Sequence, residues 1–213
     1  YYFNQEGYKS YPVYDQSSEW VIELSKMAKA MTGNQAQVFS LIEPIHEIAI
    51  IRILHSRYPE IGKYQMSCFP DDNVHGKNHY WCHHCSKCAR IYLLMRANGF
   101  NPERIGLKED MFRREYRSLY SIFGVKGNGG TAVAYDMSGV GRDEQVLGFL
   151  LAAKNGAKGE LIDEFKENFM EEALKREEDL KNEFFGIHES KTIPSEYLDK
   201  VKNIYKEELS KII

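Results

Sequence analysis

The chain has 213 residues, enough core for one large domain or one and a half. Its 28 Lys and Arg against 31 Asp and Glu give a net charge of −3, and the pI near 6.2 argues against a broad basic surface for nucleic acid. No apolar run approaches the roughly 20 residues that cross a bilayer, so no membrane partner is expected and the composition suits a cytoplasmic protein.

Residues 1 to 16 are aromatic and loop-like, with Pro12 breaking any helix. The opening Tyr1-Tyr2-Phe3 lacks a methionine and reads as a truncated N-terminus. Ser17 or Ser18 caps a helix from Glu19 to about Met31, in which Trp20, Leu24, Met27 and Met31 recur at helical spacing before Gly33 ends it. Gln37 to Leu41 reads as a short strand. Pro44 then opens a second helix to about Ser56, with Ile45, Ile48, Ala49, Ile51 and Ile53 on a wide apolar face. From Phe69 to Asn78 the composition is polar, and Pro70, Asp71, Asp72, Asn73 and Gly76 mark a surface loop.

A third helix is expected from Cys85 to Ala97, stopped by Asn98-Gly99, and a fourth over about Lys108 to Phe123 with Phe112, Tyr116, Leu119 and Tyr120 on one face. Its other face carries Arg113, Arg114 and Arg117, which suit either a solvated surface or a phosphate. Gly127 to Gly130 marks a turn, Thr131 to Tyr135 a strand, and Ser138-Gly139-Val140-Gly141 leads into an apolar helix over Gln145 to Ala153. Beyond Lys154 a charged helical tail, residues 154 to 213, has Phe165, Phe169, Leu174 and Leu180 as its buried stripe and a last helix over about Ser195 to Ile213.

All four cysteines fall in one window, Cys68 followed by Cys82, Cys85 and Cys88. Three thiols spaced two residues apart can wrap one ion on a knuckle entering a helix, with Cys68 closing the fourth position, so the spacing reads as a tetrahedral structural zinc site. Two alternatives stay open. An iron–sulfur cluster also uses such spacings. Three cysteines with one of His55, His75, His79, His83 or His84 would leave Cys68 free. Disulfides fit poorly, because Cys82, Cys85 and Cys88 lie too close together for an ordinary framework.

The run Ser67-Cys68, a loop, then Trp81-Cys82-x2-Cys85-Ser86-Lys87-Cys88-Ala89-Arg90 resembles the C-terminal region of PP-loop ATP pyrophosphatases of the 7-cyano-7-deazaguanine synthase kind. Val140-Gly141-Arg142-Asp143-Glu144 before an apolar helix is similar to a turn in the related epimerase of UDP-N-acetylmuramoyl-alanyl-glutamate. The resemblance covers about residues 1 to 153. It implies an α/β, helix-rich fold: the C-terminal portion of a PP-loop-like domain over 1–153, with a zinc knuckle at 68–88 and the helical tail at 154–213. The family's Ser-Gly-Gly-x-Asp-Ser phosphate loop does not occur here, so ATP and magnesium are expected only with an N-terminal half.

The activity so implied is ATP-dependent adenylation of a small-molecule carboxylate, with Asn4, Gln5, Gln16, Ser40, Glu43, Asp143 and Glu144 as substrate-side candidates, and it leaves a homo-oligomer open. Each of those residues also has an ordinary reading as a cap, turn or surface group. Two other functions fit the same residues. One is a zinc-stabilised binding or scaffold module without catalysis. The other is a zinc-ribbon nucleic-acid binder using Lys63, Lys77, Lys87, Arg90 and Arg96, which the acidic balance disfavours.

Overall fold

The computed structural model describes residues 14–66, 68, 81–124 and 139–212, and the backbone of 2–3 and 9–10. The expected loop over Phe69 to Asn78, the turn at Gly127 to Gly130 and the strand at Thr131 to Tyr135 lie outside the described residues. Nine α-helices occur among the described residues: α1 (Ser18–Thr32), α2 (Glu47–Arg57), α3 (Pro59–Gly62), α4 (Ser86–Ala97), α5 (Gly139–Lys154), α6 (Glu160–Asn168), α7 (Met170–Lys175), α8 (Glu177–Phe184) and α9 (Ser195–Leu209). The β-structure among them is one antiparallel ladder of two residues a strand, β1 (Tyr2–Phe3) with β2 (Lys9–Ser10).

The expected α/β PP-loop fold is therefore incorrect. There is no parallel sheet among the described residues, and the architecture is helix on helix. The strand expected at Gln37 to Leu41 is irregular chain, because its amides bond to hydroxyls and not to a neighbouring strand: Val38 N–H donates to Ser25 Oγ at 3.3 Å and Ser40 N–H to Thr192 Oγ1 at 3.1 Å. The single helix expected over Lys108 to Phe123 is replaced by two 3-10 turns, Arg114–Leu119 and Ser121–Phe123. Side chains and distant backbone take its hydrogen bonds: Asp110 Oδ1 accepts from Phe112 N–H, Glu160 accepts from Arg114 N–H, and Leu161 N–H donates to the Phe112 carbonyl. α5 begins six residues before Gln145, and α9 ends at Leu209.

The chain divides into two units. The first holds residues 1–45 and 187–206. In it α1 starts at Ser17, whose Oγ accepts from Trp20 N–H, and stops at Gly33 with φ 60°, where a side chain would be strained. No residue of α1 is buried, and Met31 is 82% exposed. Hydrogen bonds organise this unit around Glu43, whose carboxylate accepts from Ser18 Oγ, Ser190 Oγ, Thr192 Oγ1 and the Lys191 and Thr192 amides at 2.6–3.1 Å. Burial alone would raise the Glu43 carboxyl, but its donors outweigh that and bring it down to about 2.

The second unit holds residues 46–186 and 207–213. Its tightest helix pair is α4 on α5, where Gly148 lets the helices close: a Cβ there would lie 3.0 Å from Leu93 Cγ. Phe149 on α5 then centres an aromatic core, its ring 5.1–5.5 Å from those of Phe112, Tyr120, Phe123 and Phe165. Buried Tyr120 donates its hydroxyl to the Met111 or Ala89 carbonyl, at 3.1 and 3.3 Å. From Glu160 on, Leu161, Ile162, Phe165, Ala173, Leu180 and Phe184 are the buried positions of α6 to α8. The expected stripe therefore shifts: Leu174 is 47% exposed, and Ala173 beside it is buried. No helix among the described residues is long and apolar enough to cross a membrane.

Candidate metal centre

The site begins with the N-terminus of α4. Cys85 is its N-cap, with extended backbone and a sulfur that accepts from Cys88 N–H at 3.4 Å. A thiolate there takes the role usually given to Ser or Asp and meets the positive end of the helix. One turn into the helix, Cys88 comes back to the same face. Cys82 reaches it through a reversal at His83, a non-glycine residue at φ 63°. Cys68 supplies the fourth sulfur from a separate stretch. None of the four is in a disulfide.

The sulfurs of Cys68 and Cys85 are 3.7 Å apart, those of Cys82 and Cys88 3.7 Å, and those of Cys85 and Cys88 3.5 Å. All four lie within 4.8 Å of one another, three of them on buried residues. Four thiols held together at that spacing could hold a metal ion. The Cys88 thiol and N–H both stabilise the Cys85 thiolate, and Cys85 is pulled down to about 4. Burial pushes the Cys68 thiol up to about 12, and the hydrogen bond to Cys85 together with burial raises Cys88.

No described histidine joins the four sulfurs. His84 Nδ1–H donates to the Cys82 carbonyl at 2.7 Å, and His83 Nε2 accepts from Lys108 N–H at 3.2 Å. Buried His55 meets Gln65 Oε1 at 2.8 Å, and burial lowers its pKa. His75 and His79 lie outside the described residues. Before the knuckle, Trp81 is fully buried and donates Nε1–H to the Ile105 carbonyl at 2.6 Å, which ties the cysteine run to the 3-10 turn Pro102–Ile105.

No protein-family model, curated protein or solved structure matches this chain.

Of the remaining candidates from the sequence, Ser40, Glu43, Asp143 and Glu144 are engaged within the protein. Asn4 and Gln5 lie outside the described residues. Gln16 is exposed in the 3-10 turn Tyr14–Gln16. Ser40 and Glu43 bond within the first unit as described above. On α5, Asp143 pairs with Arg176 at 2.6 Å. Buried Glu144 accepts from Ile48 N–H in the first turn of α2 at 2.9 Å and from Arg90 Nη2 on α4 at 2.6 Å. The α2 N-cap, His46, makes no side-chain cap, so Glu144 supplies the missing acceptor from another helix. Arg90 also pairs with Glu47, whose carboxyl burial raises above the usual range. Arg90, read from the sequence as part of a basic ring around the cysteines, thus serves as the counter-ion of two glutamates. Arg117 is likewise held by Glu164 at 2.8 Å.

Proposed function

We propose that the chain is a zinc-stabilised helical binding module, in which the metal organises structure and performs no chemistry. The sulfur spacing supports this reading. Zn–S bonds of about 2.3 Å in a tetrahedron set the sulfurs about 3.8 Å apart, and the close pairs here stand at 3.5–3.7 Å. A [4Fe–4S] cluster gives each thiolate its own iron and a [2Fe–2S] cluster divides the four between two irons, so either spreads the set of four sulfurs further than one ion does. Four thiolates on one tetrahedral ion leave no position for water or substrate, which favours a structural role over a catalytic one. Elemental analysis of anaerobically purified protein should return about one zinc per chain and no iron. Bound iron with visible absorbance would overturn the assignment.

Carboxylate activation with ATP keeps one support, the spacing of Cys68, Cys82, Cys85 and Cys88. The helical fold offers it no parallel strand ends, among the described residues, to seat a phosphate loop. Pyrophosphate release from ATP across a set of carboxylic acids is its test, and release with any of them would displace the binding-module reading.

A further inference from the structure

A cavity of about 340 Å³ in the second unit lies between the C-terminal half of α4, the 3-10 turn Pro102–Ile105 with the chain that follows, and the connection from α5 to α6. Each of these three stretches sends one cation to it: Arg96, Lys108 and Lys158. None of the three forms an ion pair with a described residue, whereas in two other grooves Arg117 pairs with Glu164 at 2.8 Å and Arg176 with Asp143 at 2.6 Å, Arg142 beside the latter having no ion pair with a described acid. Two carboxylates share the cavity, and both already accept hydrogen bonds. Asp110 Oδ1 takes the Tyr92 hydroxyl at 3.1 Å and the Phe112 amide at 3.0 Å, and Glu103 Oε2 takes Asn101 Nδ2 at 3.5 Å. The lining is left with an excess of one positive charge and an arginine fork without an acceptor among the described residues.

From this arrangement we infer that the cavity binds a small phosphorylated polyol. A phosphate offers three oxygens to one arginine and two lysines arriving from different directions, while a lone carboxylate would satisfy the arginine and leave both lysines unmatched. The volume sits at the small end of ligand pockets, about 300–1,000 Å³. The Tyr92 hydroxyl, Asn101 and the two carboxylates suit hydroxyl groups on the remainder of such a molecule.

The wall carrying Asn101, Glu103 and Lys108 is pinned to the cysteine knuckle at two points, through Trp81 Nε1–H to the Ile105 carbonyl and through Lys108 N–H to His83 Nε2. Metal loading therefore holds the pocket in shape. The inference deepens the binding-module reading, and it is tested on metal-replete protein whose zinc content is measured on the same sample.

Isothermal titration with inorganic phosphate and with glycerol 3-phosphate should give one saturable site, tighter for the glycerol ester, with no heat from glycerol or acetate. Arg96→Ala and Lys108→Ala should each weaken binding about tenfold or more, the loss expected for a charge-assisted contact. Arg114→Ala, in a different groove, should stay within about twofold of the parent, as surface charges contribute little. Neither Arg96 nor Lys108 pairs with a described acid, so both variants should keep the parent melting temperature and zinc content. Should Arg96→Ala nevertheless misfold, Arg96→Lys, which retains charge and loses the fork, should weaken binding with the fold intact. Full zinc content with no saturable binding at millimolar phosphate overturns the site and leaves the metal centre standing. Unchanged affinity in both alanine variants overturns it equally.

Discussion

Glu144 is the place where removal of one carboxylate should cost the second unit most. Its side chain is 4% exposed and joins three helices: it sits on α5, caps α2 through Ile48 N–H, and pairs with Arg90 of α4. Glu144→Ala removes the cap, worth about 1 kcal/mol. It also breaks a buried ion pair, a loss of about 3–5 kcal/mol where the partner is stranded. Arg90 keeps Glu47 and is not stranded, so the loss of the pair falls below that range, to about 2–3 kcal/mol, and the two losses come to about 3–4 kcal/mol. At about 2–4 °C per kcal/mol for a chain of this size, the melting temperature should fall by about 10 °C. Glu144→Gln, which keeps an acceptor for Ile48 and loses the charge, should fall by about half as much, by the same scale.

Calorimetry provides the first readout, and amide exchange at Ile48 provides a local one that a general softening would not single out. Arg90 lies two residues beyond Cys88, so metal content must be measured on each variant to separate loss of the pair from loss of the metal. Glu172→Gln, at a side chain 76% exposed and 3.9 Å from Arg176, is the control and should change stability by less than about 0.5 kcal/mol. If Glu144→Ala melts within about 2 °C of the parent with its metal retained, the three-helix account of this carboxylate is wrong.

Cys85→Ser should lose stoichiometric metal and lower the unfolding temperature to that of chelator-treated parent protein, because structural zinc contributes its binding energy to folding; full metal content by elemental analysis would refute the ligand assignment. Glu43 has a folded pKa of about 2 against an ordinary 4.5, so its contribution is complete above pH 4.5 and is lost as pH falls through about 2. Glu43→Gln should flatten that acid limb in a pH series of circular dichroism melts, and an unchanged limb would show that its donors do not stabilise the charge. Gly159 has φ 138°, and a Cβ there would approach Phe112 Cβ to 2.7 Å; Gly159→Ala should cost about 2 kcal/mol or more in denaturant unfolding, while a neutral result would mean that the Phe112 cluster can give way.

What could be read from the residues alone divides along the range of the forces involved. The cysteine quartet was readable because three of its members are fixed by covalent spacing across one turn. α1 and α4 were readable through their local punctuation, Ser17 and Gly33 for one and Asn98-Gly99 for the other. The segment from Lys108 to Phe123 misled because its apolar spacing fits a helix, while its backbone bonds are taken by Asp110, Glu160 and Leu161, two of them from a helix some 45 residues on. Glu144 could not be placed at all from its neighbours in sequence. Its partners lie 96 and 54 residues away, and next to Asp143 it looks like any acid before an apolar helix. Arg90 was misjudged for the same reason: a cation's sign is visible in a sequence, but its counter-ion is not.

Among the described residues of the first unit, five donors gather on Glu43 while α1 buries no residue. Unfolding that exposes little new apolar surface carries a small heat-capacity change and a small denaturant slope. Amides of α1 should therefore exchange at lower protection than those of α4 and α5, with urea hardly accelerating them. Guanidinium titrations followed at Trp20 and at Trp81 should give a broad transition for the first and a steep one for the second, so that one chain reports two cooperativities through its two tryptophans.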